Sequence, residues 1–272
     1  MDKTPLGEKS EYPRHYDPEL LYAIPRWASR SLLDIEKKIP LEGFDLWRAF
    51  ELSWLGGSGK PEVAMGEFYF DARSENLVES KSLKLYLNSL NNEVFASSEK
   101  FAERIAGDLK ELTRSDVQIV IRELGESPLS RIQIPPGKCI DNLAFGVMEF
   151  QPDAELLKTT GSHTEHSALY SNLFRSNCPI TGQPDWATVM VQYTGPTIDE
   201  QSLLAYLCSF RQHAGYHEEC AELIYRDLMF KCKPESLIVG MNFNRRGGLD
   251  INPFRSNRPI SPDQMAYRFV RQ

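Results

Sequence analysis

Apolar residues at every second position mark two strands near the start of the chain. Phe50, Leu52 and Trp54 would share one face of a strand predicted over residues 44–54, because alternate side chains point to the same side of a strand. The same alternation predicts a second strand over residues 63–72. Two neighbouring strands of this kind indicate a sheet with one buried face and one polar face.

The apolar spacing then changes to three- and four-residue steps, which is the spacing of a helix that buries one side. Two helices are predicted, and their buried positions are Leu83, Tyr86, Leu87 and Leu90 in the first and Phe101, Ile105 and Leu109 in the second. Further apolar runs predict a third strand over residues 117–122 and a fourth near residues 131–134. The predicted order is therefore two strands, two helices and two strands.

The whole pattern recurs at a shift of 120 residues. Residues 82–90 read S-L-x-x-Y-L-x-S followed by an apolar residue, and residues 202–210 read the same. The shift also carries Glu79 onto Asp199. The second copy predicts strands over residues 169–177, 185–193, 237–243 and 267–270, and a helix that buries Cys220, Leu223, Ile224 and Leu228. Such self-similarity indicates a duplicated module.

Strands and paired helices in this order predict an α+β fold, with antiparallel sheets that each carry a helix pair on one face. The chain divides into an N-terminal arm (1–40), a first module (41–135), a linker (136–166) and a second module (167–272). The sheet face without helices would be left bare in a monomer. The sequence therefore predicts association, at least as a homodimer.

Composition narrows the classes of function. The chain has 272 residues and a net charge of -7, and such an acidic protein lacks the basic face that nucleic acid or an anionic membrane requires. It opens on a polar stretch without an apolar leader, and no apolar run approaches the roughly 20 residues that span a bilayer. An odd number of cysteines without a C-x-x-C pair indicates reduced thiols and a cytoplasmic protein. The five cysteines are Cys139, Cys178, Cys208, Cys220 and Cys232.

The segment between the first two strands of the second copy carries candidate chemistry. Residues 176–186 read S-N-C-P-I-T-G-Q-P-D-W, and residues that flank a hairpin connection face each other about 5 Å apart. Cys178 could therefore be a nucleophile with Asp185 beside it as a proton donor. The alternative is an ordinary turn with a small buried thiol, which spacing alone favours. Ser58 occupies the place of Cys178 in the first copy, so the repeat does not require the cysteine.

Two other segments have the composition of phosphate sites. Residues 78–86 place two lysines and two serines at a predicted helix start, where amide groups and the helix dipole attract anions. Residues 244–248 read N-R-R-G-G directly after a strand, so guanidinium groups and an open backbone could contact a phosphate. The alternatives are a helix cap and a basic surface turn. No G-x-G-x-x-G follows a strand, so a Rossmann-type cofactor site is not expected.

Residues 213–220 read H-A-G-Y-H-E-E-C and combine histidines with carboxylates. Glu218 at a helix start could accept two N–H bonds from the edge of a guanine-like base, and His217 could orient a group or relay a proton. Zinc bound by His213, His217 and Cys220 is the alternative. A fourth ligand at a standard spacing is missing from the sequence, so no metal is expected.

Together these segments resemble the NADPH-dependent 7-cyano-7-deazaguanine reductases, the nitrile reductases of tRNA queuosine biosynthesis, in their long two-module form. Residues 79–86 look like the family signature E-S-K-S-x-K-x-Y, and residues 176–186 look like the family's nucleophile segment. Residues 210–218 and Arg246-Gly247 match two further family blocks. The resemblance covers nearly the whole chain.

The resemblance implies two tandem tunnelling-fold modules of order β-β-α-α-β-β. It also implies that Cys178 attacks the nitrile carbon to form a covalent thioimide and that Asp185 supplies protons, with His217 over the reacting end. Two NADPH would be consumed as the nitrile of 7-cyano-7-deazaguanine becomes an aminomethyl group. The residues implied for substrate binding are Val78, Glu79, Ser80, His217 and Glu218, and those implied for NADPH binding are Ser80, Lys81, Arg246 and Gly247.

Two alternatives belong to other classes of protein. A pterin or cyclohydrolase-type enzyme on the same fold would use zinc or a different set of bases. A duplicated binding module without catalysis would use the same motifs only as caps and turns. A nitrilase also uses cysteine, but it would need no NADPH, and the sequence has no matching glutamate and lysine set.

Overall fold

The protein is represented by a computed structural model that describes residues 12–33, 40–125, 131–146, 150–265 and 267–272. Most of the predicted first module and second module is therefore described. The predicted N-terminal arm is described only at residues 12–33 and 40, and the predicted linker lacks residues 147–149. No helix in these ranges is long and apolar enough to cross a bilayer.

The described residues form ten strands and five α-helices. In chain order they are β1 (Ala23–Pro25), α1 (Trp27–Leu33), β2 (Glu42–Leu55), β3 (Pro61–Asp71), β4 (Asn76–Val78), α2 (Ser80–Ser89), α3 (Ser98–Thr113), β5 (Val117–Arg122), β6 (Lys138–Cys139), β7 (Thr159–Asn177), β8 (Pro184–Ile198), α4 (Glu200–Ser209), α5 (His217–Cys232), β9 (Ser236–Phe243) and β10 (Leu249–Ser256). Short 3-10 turns cover Pro18–Leu20, Ala154–Leu156, Phe210–Gln212 and Pro262–Gln264.

The chain divides into two compact units. Unit 1 consists of Met1–Ala28, Asp45–Arg131 and Arg245–Ile251, and unit 2 of Ser29–Phe44, Ile132–Asn244 and Asn252–Gln272. Unit 1 contains α2 and α3 with the strand order β5–β3–β2, and unit 2 contains α4 and α5 with the order β9–β8–β7–β6. The strand pairs β3–β5, β7–β8, β8–β9 and β9–β10 are antiparallel, whereas β6 pairs in parallel with β7. The mixed α+β class with antiparallel sheets is therefore confirmed.

The strand predictions are wrong in three places. Strand β7 begins at Thr159, inside the segment predicted as a linker. No strand forms at the described residues 131–134 or 267–270, and the last strand of the sheet is β10 instead. Residues 249–256 read L-D-I-N-P-F-R-S, and all eight are buried, so this strand has no solvent-facing polar side.

The two copies share specific hydrogen bonds, which confirms the predicted duplication. The hydroxyl of Tyr86 donates to Asp108 Oδ2 at 2.6 Å in unit 1, and that of Tyr206 donates to Asp227 Oδ2 at 2.7 Å in unit 2. Each bond joins the two helices of one unit, α2 to α3 and α4 to α5. The repeated tyrosine thus orients the helix pair in both copies.

The duplication also reaches into residues assigned to the N-terminal arm. The side chains of Asp17 and Asp153 each cap a 3-10 turn in the sequence D-x-E-L-L. After the turn, the amide of Tyr22 donates to Ser82 Oγ at 3.0 Å, and that of Lys158 donates to Ser202 Oγ at 3.1 Å. A comparison without gaps misses this correspondence, because β1 and α1 lie between the turn and β2 in the first copy, whereas β7 follows the turn directly in the second.

Candidate functional site

The β7–β8 hairpin places Cys178 and Asp185 at one end of the unit 2 sheet. The Cys178 amide donates to Gln183 O at 2.8 Å and the Gly182 amide donates to Cys178 O at 3.0 Å, so the connection closes as a tight turn. Asp185 pairs directly with Ser176, and Cys178 lies just beyond the last pair. Both side chains are buried, with exposed fractions of 6% for Cys178 and 4% for Asp185. The predicted hairpin is thus confirmed, although the direct cross-strand partner of the aspartate is the serine.

His217 completes a group around this aspartate. It is the first residue of α5, and its Nε2 lies 3.4 Å from Asp185 Oδ2. Its ring stacks on that of Phe243 at the end of β9, with ring centres 3.8 Å apart and an angle of 16° between the planes. The amide of Tyr216 donates to Glu219 Oε2 at 3.0 Å, which holds the start of the helix. The imidazole is therefore oriented between a carboxylate and an aromatic ring.

Phe243 was missed by the sequence analysis because only the tertiary structure brings it to His217. We predict that Phe243→Leu lowers kcat by about tenfold, since the imidazole loses its stacking surface and its fixed orientation. The loss of stability should be about 1–2 kcal/mol, as for a partial loss of side-chain volume in a core. Steady-state kinetics of the catalysed reaction give kcat, and urea unfolding gives the free energy of unfolding. Phe254→Leu, which loses an equally buried ring in unit 2, is the matched control and should keep its turnover; equal losses in the two variants would show a packing effect only.

Three other cysteines are poor candidates for a nucleophile, because the thiolate is the reactive form. Burial raises the pKa of Cys208 and of Cys232 to about 11 in each case. Burial also raises the pKa of Cys220, and the nearby carboxylates of Glu219, Asp185 and Glu218 act in the same direction. These thiols stay neutral near pH 7. Cys178 is the cysteine that lies at the hairpin end beside the Asp185–His217 pair.

The zinc alternative for residues 213–220 finds no support in the described part of the chain. No three side chains among its histidines, cysteines, aspartates and glutamates come together as metal ligands. Burial lowers the pKa of His213, so its ring is neutral near pH 7. Glu218 follows His217 on α5 and is buried, with 4% of its surface exposed. The helix start thus presents His217 and Glu218, next to Glu219, which holds the Tyr216 amide.

In unit 1, Glu79 caps the start of α2. One carboxylate oxygen accepts from the Lys81 amide at 2.8 Å and the other from the Ser82 amide at 2.7 Å. Burial raises the pKa of Glu79, and the two amide bonds oppose that shift. Asp199 caps α4 in the same way through the Ser202 amide at 2.7 Å, so the predicted correspondence between Glu79 and Asp199 is confirmed.

The capping role leaves Glu79 with room for a ligand. A carboxylate offers about four acceptor positions, and the two amides and the side chain of Ser80 occupy three of them. Val78 precedes it at the buried end of β4, and Ser80 opens the helix beside it. The amides of Lys81 and Ser82, which the sequence analysis offered to a phosphate, are instead bound to Glu79. Side chains, and not these amides, remain for an anion at this helix start.

The two segments with the composition of phosphate sites, residues 78–86 and 244–248, come into contact at Gly247. This glycine and Gly248 form a two-residue turn with φ of 57° and 81°, closed by paired hydrogen bonds between Arg246 and Leu249. A Cβ atom at Gly247 would lie 3.1 Å from Nζ of Lys84, one turn along α2 from Ser80. The turn interpretation of the glycines is thus confirmed. The same turn places the backbone of Gly247, which follows Arg246, against Lys84 of α2.

A cavity of about 110 Å³ lies beside this contact. Its lining includes Glu51, Lys84, Asn88 and Gly247. Nζ of Lys84 is 3.8 Å from Glu51 Oε2, and a half-exposed ammonium of this kind can exchange an exposed carboxylate partner for another anion. Unit 1 therefore has a small polar cleft between the two segments with phosphate-binding composition.

Comparison with known proteins gives two family matches. The model described as "Nitrile reductase, 7-cyano-7-deazaguanine-reductase N-term" matches residues 12–121, and the model described as "QueF-like protein" matches residues 184–261. A solved structure, the archaeosine synthase QueF-Like in the apo form, is 19% identical with a TM-score of 0.29, over 36% of this chain and 95% of that chain.

Two curated relatives are similar over almost their whole length. A protein of Teredinibacter turnerae is 48% identical over 262 residues, which cover 96% of this chain and 94% of the relative. A protein of Dechloromonas aromatica is 47% identical over 254 residues, which cover 93% of this chain and 90% of the relative. Both carry the name NADPH-dependent 7-cyano-7-deazaguanine reductase.

Proposed function

The chain belongs to the family of NADPH-dependent 7-cyano-7-deazaguanine reductases, and we propose that it reduces the nitrile of 7-cyano-7-deazaguanine to an amine through a covalent bond to Cys178. It is thus an NADPH-dependent oxidoreductase, a nitrile reductase that serves queuosine biosynthesis. The observation that supports the mechanism is the Asp185–His217 pair beside the hairpin that carries Cys178. A thiol next to a proton-holding pair is the arrangement that covalent addition requires.

In the proposed first step, the Cys178 sulfur attacks the nitrile carbon. The thiol proton passes to Asp185, one C–N π bond opens with its electrons moving to the nitrogen, and Asp185 delivers that proton to the nitrogen, which leaves a thioimide. His217, 3.4 Å from the aspartate, can pass a replacement proton to Asp185 or accept one from it. Burial of the thiol and the carboxylate keeps water from competing for the carbon.

The proposed substrate contacts are carboxylates that accept N–H bonds from the guanine-like edge. Glu218 is next to His217, so a base held by this carboxylate would have its reacting group under the imidazole. Glu79 has acceptor capacity left after capping α2, and Val78 and Ser80 adjoin it. The support for these unit 1 residues is the family motif over residues 79–86.

The residues proposed for NADPH are Ser80, Lys81, Arg246 and Gly247, and bound NADPH supplies the two hydrides of the reaction. They suit a phosphate-bearing cofactor, because the glycine carries no side chain and lies against Lys84. The guanidinium of Arg246 and the ammonium of Lys81 provide charge of the right sign. Side chains rather than helix amides would make these contacts, since Glu79 holds the amides.

Four further features belong to the proposal. Each unit would be a tunnelling-fold module, and the protein would act as a homodimer in the cytoplasm without a metal. The bare sheet face that the helix pairs leave is the reason for expecting the dimer. The arm, module and linker boundaries (1–40, 41–135, 136–166 and 167–272) stay predictions.

We expect purified protein to consume two NADPH for each aminomethyl product formed from 7-cyano-7-deazaguanine. The loss of absorbance of NADPH at 340 nm and the amount of product by mass spectrometry give the ratio. 7-Carboxy-7-deazaguanine, which has no nitrile, is the control and should consume none. Binding without NADPH consumption would favour the binding-module alternative, and stoichiometric zinc with hydrolytic activity would favour the cyclohydrolase alternative.

A further inference from the structure

Residues 267–272 of unit 2 pack against the sheet, although the strand predicted at 267–270 does not form there. The side chain of Phe269 is buried, with 3% of the residue exposed, and Gln272 is buried as well, with 7% exposed. Glutamine is mostly found on protein surfaces, and a buried amide side chain needs polar partners inside the protein. The partners of Gln272 are therefore informative.

The carboxamide of Gln272 makes four hydrogen bonds. Its Nε2 donates to Phe243 O at 3.2 Å and to Asn252 Oδ1 at 2.6 Å. Its Oε1 accepts from Asn242 Nδ2 at 3.1 Å and from the amide of Phe269 at 3.1 Å. Both donor hydrogens and both acceptor positions are thus used, which fixes this side chain in one orientation.

These bonds join the end of β9 to β10. The last pair of β9 with β10 that the structure describes toward this end joins Gly240 to Phe254. Phe243 and Asn252 lie beyond that pair, and Pro253 between them and the ladder has no N–H to donate. The carboxamide of the glutamine supplies a connection between the two strands at this place.

The neighbouring Arg271 makes a similar connection between β7 and β8. Its Nη2 donates to Asn172 O at 2.8 Å and to Ala187 O at 3.1 Å. The pairing of the two strands is irregular over residues 171–174, and such a bulge interrupts the ladder of hydrogen bonds. The guanidinium therefore binds one carbonyl on each strand beside the bulge, two residues along β8 from Asp185, and anchors the segment that carries the glutamine.

We propose that Gln272 is a positioning residue of the reaction, because it fixes the end of β9 and through it the imidazole of His217. The carbonyl that it binds belongs to Phe243, whose ring stacks on His217 with 3.8 Å between ring centres. Nε2 of His217 in turn lies 3.4 Å from Asp185 Oδ2. The inference rests on the proposed function, which gives the Asp185–His217 pair the transfer of protons.

The first test measures the imidazole directly in Gln272→Met, which keeps the length of the side chain and removes all four hydrogen bonds. Protons stacked on an aromatic ring are moved to lower chemical shift by its ring current. Carbon-detected proton spectra of the five histidines resolve the His217 signal, which is identified by its loss in His217→Gln. We expect this signal to move toward the position of an unstacked histidine in the glutamine variant.

Kinetics of the same variant measure the consequence for the reaction. We expect kcat to fall about tenfold, because a displaced imidazole transfers protons less efficiently. The KM for NADPH should change by less than about twofold, since the lost interaction acts on the chemical step. Gln272→Glu is the second variant: it keeps the acceptor for Asn242 and Phe269, loses the amide donor to Phe243, and should show the same two effects.

Asn257→Leu is the matched control for a loss of stability alone. Asn257 Oδ1 accepts from the Leu237 amide at 2.9 Å and its Nδ2 donates to Glu235 O at 3.0 Å, so this amide side chain holds the opposite end of β9. The control should lower the free energy of unfolding and leave kcat and the His217 signal unaltered. A fall in kcat equal to that of Gln272→Met would show a general effect of stability and overturn the proposal.

The double variant Gln272→Met with Phe243→Leu tests whether the glutamine acts through the phenylalanine. Its kcat should lie within about twofold of that of Phe243→Leu alone, because residues that act through one contact are not additive. Losses that multiply would contradict the proposal, and so would an unmoved His217 signal in both glutamine variants.

The outcomes also separate this inference from the proposed function, because the spectra need no substrate. An active protein whose kcat and His217 signal are unaltered in Gln272→Met would leave the function standing and remove the role of the glutamine. A His217 signal that moves in Gln272→Met, in a protein that does not reduce the nitrile, would confirm the contact and overturn both the function and the role of Gln272 in it.

Discussion

Cys178→Ala is expected to abolish the covalent adduct between the protein and 7-cyano-7-deazaguanine. Removal of the sulfur removes the bond that the mechanism depends on, so turnover should fall by roughly 10⁴-fold or more, the scale found when covalent nucleophiles are removed. Intact-mass spectrometry after incubation with the nitrile alone measures the adduct directly. A thioimide adds the whole mass of the substrate, because addition to the nitrile expels no leaving group.

Cys139→Ala is the control for this experiment. Cys139 is a half-buried thiol of unit 2 on the short strand β6, away from the hairpin turn in sequence. The adduct should form in this variant as in the unaltered protein. An adduct that persists in Cys178→Ala would refute the assignment of the nucleophile. Its absence from both variants would instead indicate damage to unit 2 as a whole, which near-ultraviolet circular dichroism would reveal.

Asp185→Asn is expected to preserve substrate binding and to stop reduction. The amide has nearly the shape of the carboxylate and can still contact His217, but it cannot deliver a proton. Loss of a general acid costs typically 10²–10⁴-fold, so we expect a fall in kcat of that size with little change in the Kd for the nitrile. Isothermal titration calorimetry gives the Kd, and single-turnover loss of NADPH absorbance gives the rate.

The matched control is Asp199→Asn, the helix cap of α4 in the same unit. Asparagine is as good a helix cap as aspartate, so stability and turnover should both stay close to those of the unaltered protein. Full activity in Asp185→Asn would remove its role as the proton donor. If Asp185→Asn lost both substrate binding and reduction, the carboxylate would be needed to hold the hairpin in shape. Such a result would give no support to its role in proton transfer.

Residues whose structure depends on near neighbours were predictable from the sequence. Contacts within a few residues specify the helix that buries Leu83 and Leu90, the cap at Glu79 and the turn at Gly247-Gly248. The hairpin that carries Cys178 belongs to the same class, because a turn signal between two apolar runs specifies it. The family assignment was also predictable, since it depends on short motifs that the comparisons confirm.

Features that depend on distant parts of the chain were not predictable. Strand β10 buries its polar residues as well as its apolar ones and contains a proline, so its place in the sheet, beside β9, identifies it as a strand. The stacking of Phe243 on His217 joins β9 to α5, and no spacing in the sequence connects the two. The gathering of Arg175 and Arg211 on Trp186 likewise needs the β7–β8 register and the turn after α4.

The sequence by itself determined the duplication, the helices and first three strands of each copy, and the hairpin turn that carries Cys178. Local periodicity and turn chemistry carry that information, because they act between residues close along the chain. The tertiary structure alone decided that Asp185 pairs with His217, that Phe243 stacks on His217, and that two arginines share one indole. These contacts arise from the packing of elements far apart in the chain. Burial strengthens them, because polar interactions are stronger in the low dielectric of a protein interior.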